Sequence, residues 1–253
     1  MGKGLPYWVY RAVRGLVRLF YPSPEFEGLE NLPEGPCVIV GNHAQMNGPI
    51  VGEAFLPGRH VVWCNGEMMH LKEVPDYAYE DFWSRKPGHI RWFYRLLSYA
   101  IAPLSVCVFN NALCIGVYRD ARITNTFRQT LEQLAAGARV VIFPECRTPH
   151  NRVVYEFQDR FIALGRMYHR QTGQALAFVP MYVAPELRKT IFGAPVYYDA
   201  SANAEAERWR VCAALMEAVT ELAVRQPRHR VVPYLNLPKK EYPMNLPDED
   251  GAL

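Results

Sequence analysis

Nowhere in this chain of 253 residues do 18 consecutive apolar residues occur, so an ordinary transmembrane helix is not expected. No internal repeat and no low-complexity segment interrupts it, which sets aside solenoids and disordered tails. The six cysteines (Cys37, Cys64, Cys107, Cys114, Cys146, Cys212) show no CxxC spacing, and four of them sit in apolar, strand-like runs. Structural zinc and disulfides are therefore not expected, and a reducing compartment fits best. A signal peptide is not expected either, because the basic, apolar N-terminus has no separate uncharged core and no small-residue cleavage site. The net charge of +3 is too mild to indicate a nucleic-acid partner. The charge is unevenly placed: residues 1–24 hold Lys3, Arg11, Arg14 and Arg18 and no Asp or Glu.

What remains is an ordinary globular composition, 50% hydrophobic and 21% charged, on a chain long enough to bury a sizeable core. Pro6 opens and Pro22 and Pro24 close a helix over residues 6–21. On it Arg11, Arg14 and Arg18 fall within about 60° of one another, while Val9, Val13, Leu16 and Phe20 centre on the opposite face. Trp8, Tyr10 and Tyr21 flank them. Such a helix either packs on the core or lies in a membrane interface, where each arginine near an anionic leaflet contributes roughly 1 kcal/mol. Further on, Cys37–Gly41, His60–Cys64, Leu113–Tyr118, Arg139–Phe143 and Leu176–Val183 read as strands, and Ile191–Tyr198 as an edge strand carrying Pro195. Helices are expected from Pro49, over 123–136, over Tyr155–Tyr168, and where Trp209, Cys212, Met216, Val219 and Ala223 recur. The 23 uncharged residues between Arg95 and Arg119 are broken by Pro103, Asn110 and Asn111, and are expected as a core helix rather than a span.

This alternation indicates an α/β fold: a single domain with a mostly parallel mixed sheet flanked by helices, preceded by the amphipathic helix. The expected boundaries are 1–24 for that helix, 25–230 for the domain and 231–253 for a Pro-rich extended tail. Chemistry in such sheets sits beyond the carboxyl ends of strands. Four strand ends stand out. The first is Gly41-Asn42-His43-Ala44-Gln45-Met46-Asn47-Gly48, whose histidine suits general-base work. Then come Gly116-Val117-Tyr118-Arg119, Phe143-Pro144-Glu145-Cys146-Arg147-Thr148 and the proline-interrupted Phe178-Val179-Pro180-Met181-Tyr182-Val183.

In this order and spacing the four blocks resemble those of the lysophospholipid and glycerolphosphate acyltransferase family, with its NHxxxxD and FPEGTRS motifs. The resemblance covers about residues 37–183. It implies transfer of a fatty acyl group from a thioester donor, acyl-CoA or acyl carrier protein, to the hydroxyl of a lysophospholipid or glycerol phosphate. It makes His43 the catalytic general base and places Asn42, Arg119, Glu145 and Arg147 at the substrate. Arg11, Arg14, Arg18, Trp8 and Phe20 would hold the enzyme in the cytoplasm, peripherally on the inner face of the membrane. No bound cofactor, metal or nucleic acid is implied.

Two positions depart from the family pattern. The aspartate that orients the histidine falls at Gly48, and no carboxylate follows His43 until Glu53. The glycine after the FPE triplet is Cys146, which shifts the arginine by one to Arg147. Orientation of His43 then falls to Asn47, to Glu145 or to another acid such as Glu53, Glu67 or Asp120. The alternatives are a lipid-binding relative without catalysis, or a thioesterase on the same scaffold.

Overall fold

The structure, a computed structural model, describes residues 5–84 and 86–247. In chain order the elements are α1 (Tyr7–Phe20), β1 (Glu25–Glu27), β2 (Cys37–Gly41), α2 (Asn47–Ala54), β3 (His60–Asn65), α3 (Val74–Ala78) and α4 (Arg91–Asn111). There follow β4 (Cys114–Val117), α5 (Ile123–Ala135), β5 (Arg139–Ile142), β6 (Glu145–Pro149), β7 (Tyr155–Phe157) and α6 (Ala163–Thr172). The last are β8 (Ala177–Ala184), β9 (Lys189–Phe192), β10 (Val196–Tyr197) and α7 (Ala204–Val224). The fold class is α/β, with a mostly parallel mixed sheet flanked by helices, as the alternation of apolar runs indicated. The chain divides into two compact units, Met1–Pro22 with Val61–Gln129, and Ser23–His60 with Thr130–Leu253.

In the second unit the strands lie in the order β1-β9-β8-β2-β5. β2 is the hinge of this arrangement, parallel to both β8 and β5 and buried at every residue. A strand covered on both faces reads as a continuous apolar run, which is why Cys37-Val38-Ile39-Val40 shows no alternation. β8 is parallel to β2 on one side and antiparallel to β9 and β10 on the other. The expected edge strand at Ile191–Tyr198 is in fact these two pieces, separated by Gly193-Ala194-Pro195. The break lies opposite Pro180, whose carbonyl accepts the Gly193 N–H at 2.9 Å and which has no N–H to return. Pro180 on β8 and Pro195 in the gap each lack the N–H that would have kept one strand.

A second correction concerns residues 155–168, expected as one helix. Tyr155–Phe157 is β7, paired antiparallel with β6, and α6 begins only at Ala163. The Tyr-Glu-Phe triplet suits a strand, and its Tyr155 N–H is claimed by a side chain of β6, described below. In α7 the buried face is Glu207, Val211, Cys212, Leu215, Val219 and Ala223, so Trp209 points outward.

The first unit pairs β3 with β4 in parallel and packs α3 and α1 against α4. Ser98, Ala102, Ser105 and Cys107 form the buried face of α4, and Met68, Val74 and Ala78 meet it. The expectation of a core helix for this run holds for that face alone. The six cysteines are free thiols.

Close packing of α6 on Tyr198 depends on a glycine. A Cβ at Gly165 would lie 2.4 Å from Cγ of the buried Tyr198 ring. Gly165→Ala is expected to destabilise the chain by about 1–3 kcal/mol, read as a lower denaturant midpoint at unchanged slope.

Candidate functional site

The site is built around the loop that leaves β2. Asn42, 1% exposed, closes the strand: its amide oxygen accepts the Val183 N–H at 2.7 Å and its amide nitrogen donates to the Val183 carbonyl at 3.1 Å. The side chain thus extends the β2–β8 ladder by one rung. In this structure Asn42 is a strand fastener rather than a group facing an open cleft.

His43 follows, and its main-chain N–H donates to Glu145 Oε2 at 2.6 Å. The other carboxylate oxygen of Glu145 accepts the Tyr155 N–H at 2.8 Å. One carboxylate, 3% exposed, therefore ties the β2 loop to the β6–β7 hairpin. Burial pushes the Glu145 carboxyl up to about 7, while the two N–H donors partly offset that rise. Glu145 thus positions His43 through the backbone, and not through the ring.

Among the described residues the ring itself has no carboxylate partner. Nδ1 is shut off from solvent and makes no hydrogen bond. The ring packs edge-on against Phe143 and Tyr234, with centroids 5.7 and 5.5 Å away. Desolvation lowers the His43 pKa to about 4, with a small opposing effect of the Gln45 backbone. The imidazole is therefore neutral at physiological pH.

The next two residues, Ala44 and Gln45, have φ of 45° and 55°, in the left-handed region that L side chains avoid. Something must hold them there. Within the loop, Asn47 donates to the Ala44 carbonyl through both N–H (3.1 Å) and Nδ2 (2.8 Å), and the Gly48 N–H reaches the His43 carbonyl at 2.9 Å. From outside, the C-terminal tail supplies the rest. The Gln45 N–H donates to the Pro233 carbonyl at 3.1 Å, and Gln45 Nε2 donates to the Tyr242 hydroxyl at 2.9 Å and to the Leu235 carbonyl at 3.3 Å. The tail is in turn anchored by Asn245, whose amide accepts the His229 N–H and donates to the Ala223 carbonyl at the end of α7. His229 meets the Tyr182 hydroxyl of β8 at 2.8 Å.

Gly48, where the resembled family carries its aspartate, has no room for a side chain. A Cβ there would lie 2.7 Å from Phe143 Cε1 and 2.8 Å from the carbonyl oxygens of both Asn42 and His43. Phe143 occupies that space. Of the other expected site residues, Arg147 is exposed on β6, and Arg119 is exposed on the turn after β4 in the first unit. Arg11, Arg18, Trp8 and Phe20 are exposed on α1, with Arg14 half-buried. Sequence reasoning missed Phe143 as a ring neighbour, together with Tyr155, Gln45, Tyr234 and Tyr242. A glutamine in the middle of the histidine block was the available signal for Gln45; nothing local pointed to the tail residues.

No protein-family model matches the chain, and no curated protein matches it. Among solved structures it is similar to the crystal structure of the 1-acyl-sn-glycerophosphate (LPA) acyltransferase PlsC from Thermotoga maritima. The two share 18% identity over 87% of this chain and 80% of that one, with a TM-score of 0.48.

Two outcomes are expected from this geometry. Restoring the family carboxylate by Gly48→Asp should not create a working pair; it should lower the melting temperature, because a backbone carbonyl cannot move aside as a side chain can. The second outcome is a pH dependence with opposing arms. Glu145 binds its proton more tightly in the folded chain (about 7) than in the unfolded one (4.5), so its effect on stability worsens as pH rises from 4.5 to 7. His43 binds its proton more weakly when folded (about 4, against 6.5), so stability is lost as pH falls from 6.5 to 4. In the wild type the arms oppose each other. His43→Gln should expose the Glu145 arm, with a higher denaturant midpoint at pH 5 than at pH 7.5, and Glu145→Gln should reverse that order.

Proposed function

We propose that this chain is an acyltransferase that moves a fatty acyl group from a thioester donor, acyl-CoA or acyl carrier protein, to the hydroxyl of a lysophospholipid or glycerol phosphate. The observation that carries the reading is the meeting of two sequence blocks 102 residues apart: the histidine of the first rests on the glutamate of the third at 2.6 Å. In this reading the acceptor hydroxyl gives its proton to the His43 imidazole as its oxygen attacks the thioester carbonyl. The carbon–sulfur bond then breaks, and the departing thiolate takes the proton back.

A neutral imidazole can accept that proton throughout the physiological range. With no carboxylate on Nδ1 among the described residues, the imidazolium gains little stabilisation, so turnover is expected to be slow beside that of an enzyme with the aspartate. Arg119 and Arg147 are assigned to the acceptor phosphate, for which a guanidinium fork is suited. Arg11, Arg14 and Arg18, with Trp8 and Phe20, place α1 on the inner face of the membrane, peripherally and from the cytoplasm.

A second reading, a lipid-binding relative without catalysis, is favoured by the same partnerless Nδ1 between Phe143 and Tyr234. Acyl transfer separates the two. Purified protein in lipid vesicles is expected to pass a labelled acyl group from its thioester to lysophosphatidate, and His43→Ala should lower the rate about 100-fold or more. Arg119→Ala and Arg147→Ala should raise KM for phosphorylated acceptors more than they lower kcat. If no acceptor in a panel of lysophospholipids and glycerol phosphate is acylated, the catalytic reading fails; if free fatty acid appears without acceptor dependence, the enzyme is a thioesterase.

A further inference from the structure

The helix α4 is built inside out for a helix facing water. Its buried face carries small and polar residues: Ser98, Ala102, Ser105 and Cys107. Its outward face carries Trp92, Phe93, Leu96, Tyr99 and Leu104, which recur at helical spacing, with Trp92 69% and Leu96 63% exposed. Of the most apolar 18-residue stretch within Gly88–Asn111, only 22% is buried. A contiguous exposed apolar stripe of this kind marks an interaction surface.

Charge identifies the partner. No Asp or Glu occurs between Asp81 and Asp120, while Lys86, Arg91 and Arg95 stand at the N-terminal end of the stripe. α1 packs on α4 in the same unit. It too lacks acid, carries Arg11, Arg14 and Arg18, and leaves Trp8, Leu16, Leu19 and Phe20 exposed. Large apolar side chains, tryptophan and tyrosine among them, bordered by Lys86 and Arg91 and by an Arg95 that pairs with Asp76, match the interface of an anionic bilayer. Gly88–Asn111 is long and apolar enough to cross a membrane, and the other face of the helix favours an in-plane orientation instead. Ser105 donates to the Met68 carbonyl at 3.0 Å, Asn110 donates to the Met69 carbonyl at 2.9 Å, and Arg95 pairs with Asp76 at 2.7 Å, so α4 is fastened along its length to its own unit.

We propose that α4 is a lipid-docking helix, lying in the plane of an anionic membrane surface with Trp92, Phe93, Leu96, Tyr99 and Leu104 immersed beside the apolar side of α1. This goes beyond acyl transfer and does not depend on it. The test is flotation of the full chain with phosphatidylcholine vesicles, with and without phosphatidylglycerol. Wild type and His43→Ala are both expected to float with the anionic vesicles. Trp92→Gln combined with Leu96→Gln, both at exposed positions, should lower partitioning more than ~10-fold. Vesicles whose acyl chains are brominated provide a second readout: in a Trp8→Phe background, quenching of tryptophan fluorescence should fall further on Trp92→Phe, a change that leaves the fold intact. The proposal is overturned if the double variant floats as wild type does, or if Trp92→Phe leaves the quenching unchanged. It is also overturned if the wild type sediments without lipid as a dimer that the double variant does not form, which would assign the face to a second copy of this chain.

Discussion

Glu145 carries a carboxylate at the bottom of the second unit's loop cluster, and two main-chain N–H groups converge on it. One belongs to His43 on the β2 loop and the other to Tyr155 on β7. Without an acceptor of this kind, both donors would be buried and unsatisfied, at about 1–3 kcal/mol each. The carboxylate meets that demand and, in doing so, fixes where the histidine begins its excursion from the sheet. The price is a buried acid whose carboxyl sits near 7. The anchor of the site is therefore itself sensitive to pH, and it acts through the backbone, leaving the ring to other neighbours.

Those neighbours are aromatic. Phe143 fills the space next to Gly48 and faces the ring, and Tyr234 approaches from the tail. A histidine in such surroundings stays neutral, with only the Gln45 backbone favouring its charged form. Glycine at position 48 and the presence of Phe143 are two sides of one packing choice: a side chain at position 48 and this ring cannot occupy the same volume. The left-handed backbone at Ala44 and Gln45 adds a second constraint, since Pro233, Leu235 and Tyr242 hold it from more than 180 residues away. The tail is thus part of the loop's structure.

Much of the fold was legible in the order of residues. Continuous apolar runs at Cys37–Gly41 and Leu176–Val183 announced strands, and Pro6 marked the start of α1 through its own backbone chemistry. The His43 and Glu145 blocks could be named as chemically active strand ends because an apolar strand must deliver its last residues to the surface of the sheet. Residues 155–168 misled for a physical reason: local periodicity favoured a helix, and a tertiary hydrogen bond to Glu145 with pairing to β6 overrode it.

By itself, then, the sequence determined the class of fold, the strands that form its core, the acid-free basic character of α1, and the candidate side chains at the strand ends. These follow from local propensity and from the partition of apolar side chains, which act between neighbours in the chain. Only the tertiary structure decided that Glu145 holds His43 by its main chain, that the ring packs against Phe143 and Tyr234, that the tail locks the loop, and that α4 turns its largest side chains outward. Each of those depends on which distant segments share a volume, and a one-dimensional pattern carries no distances.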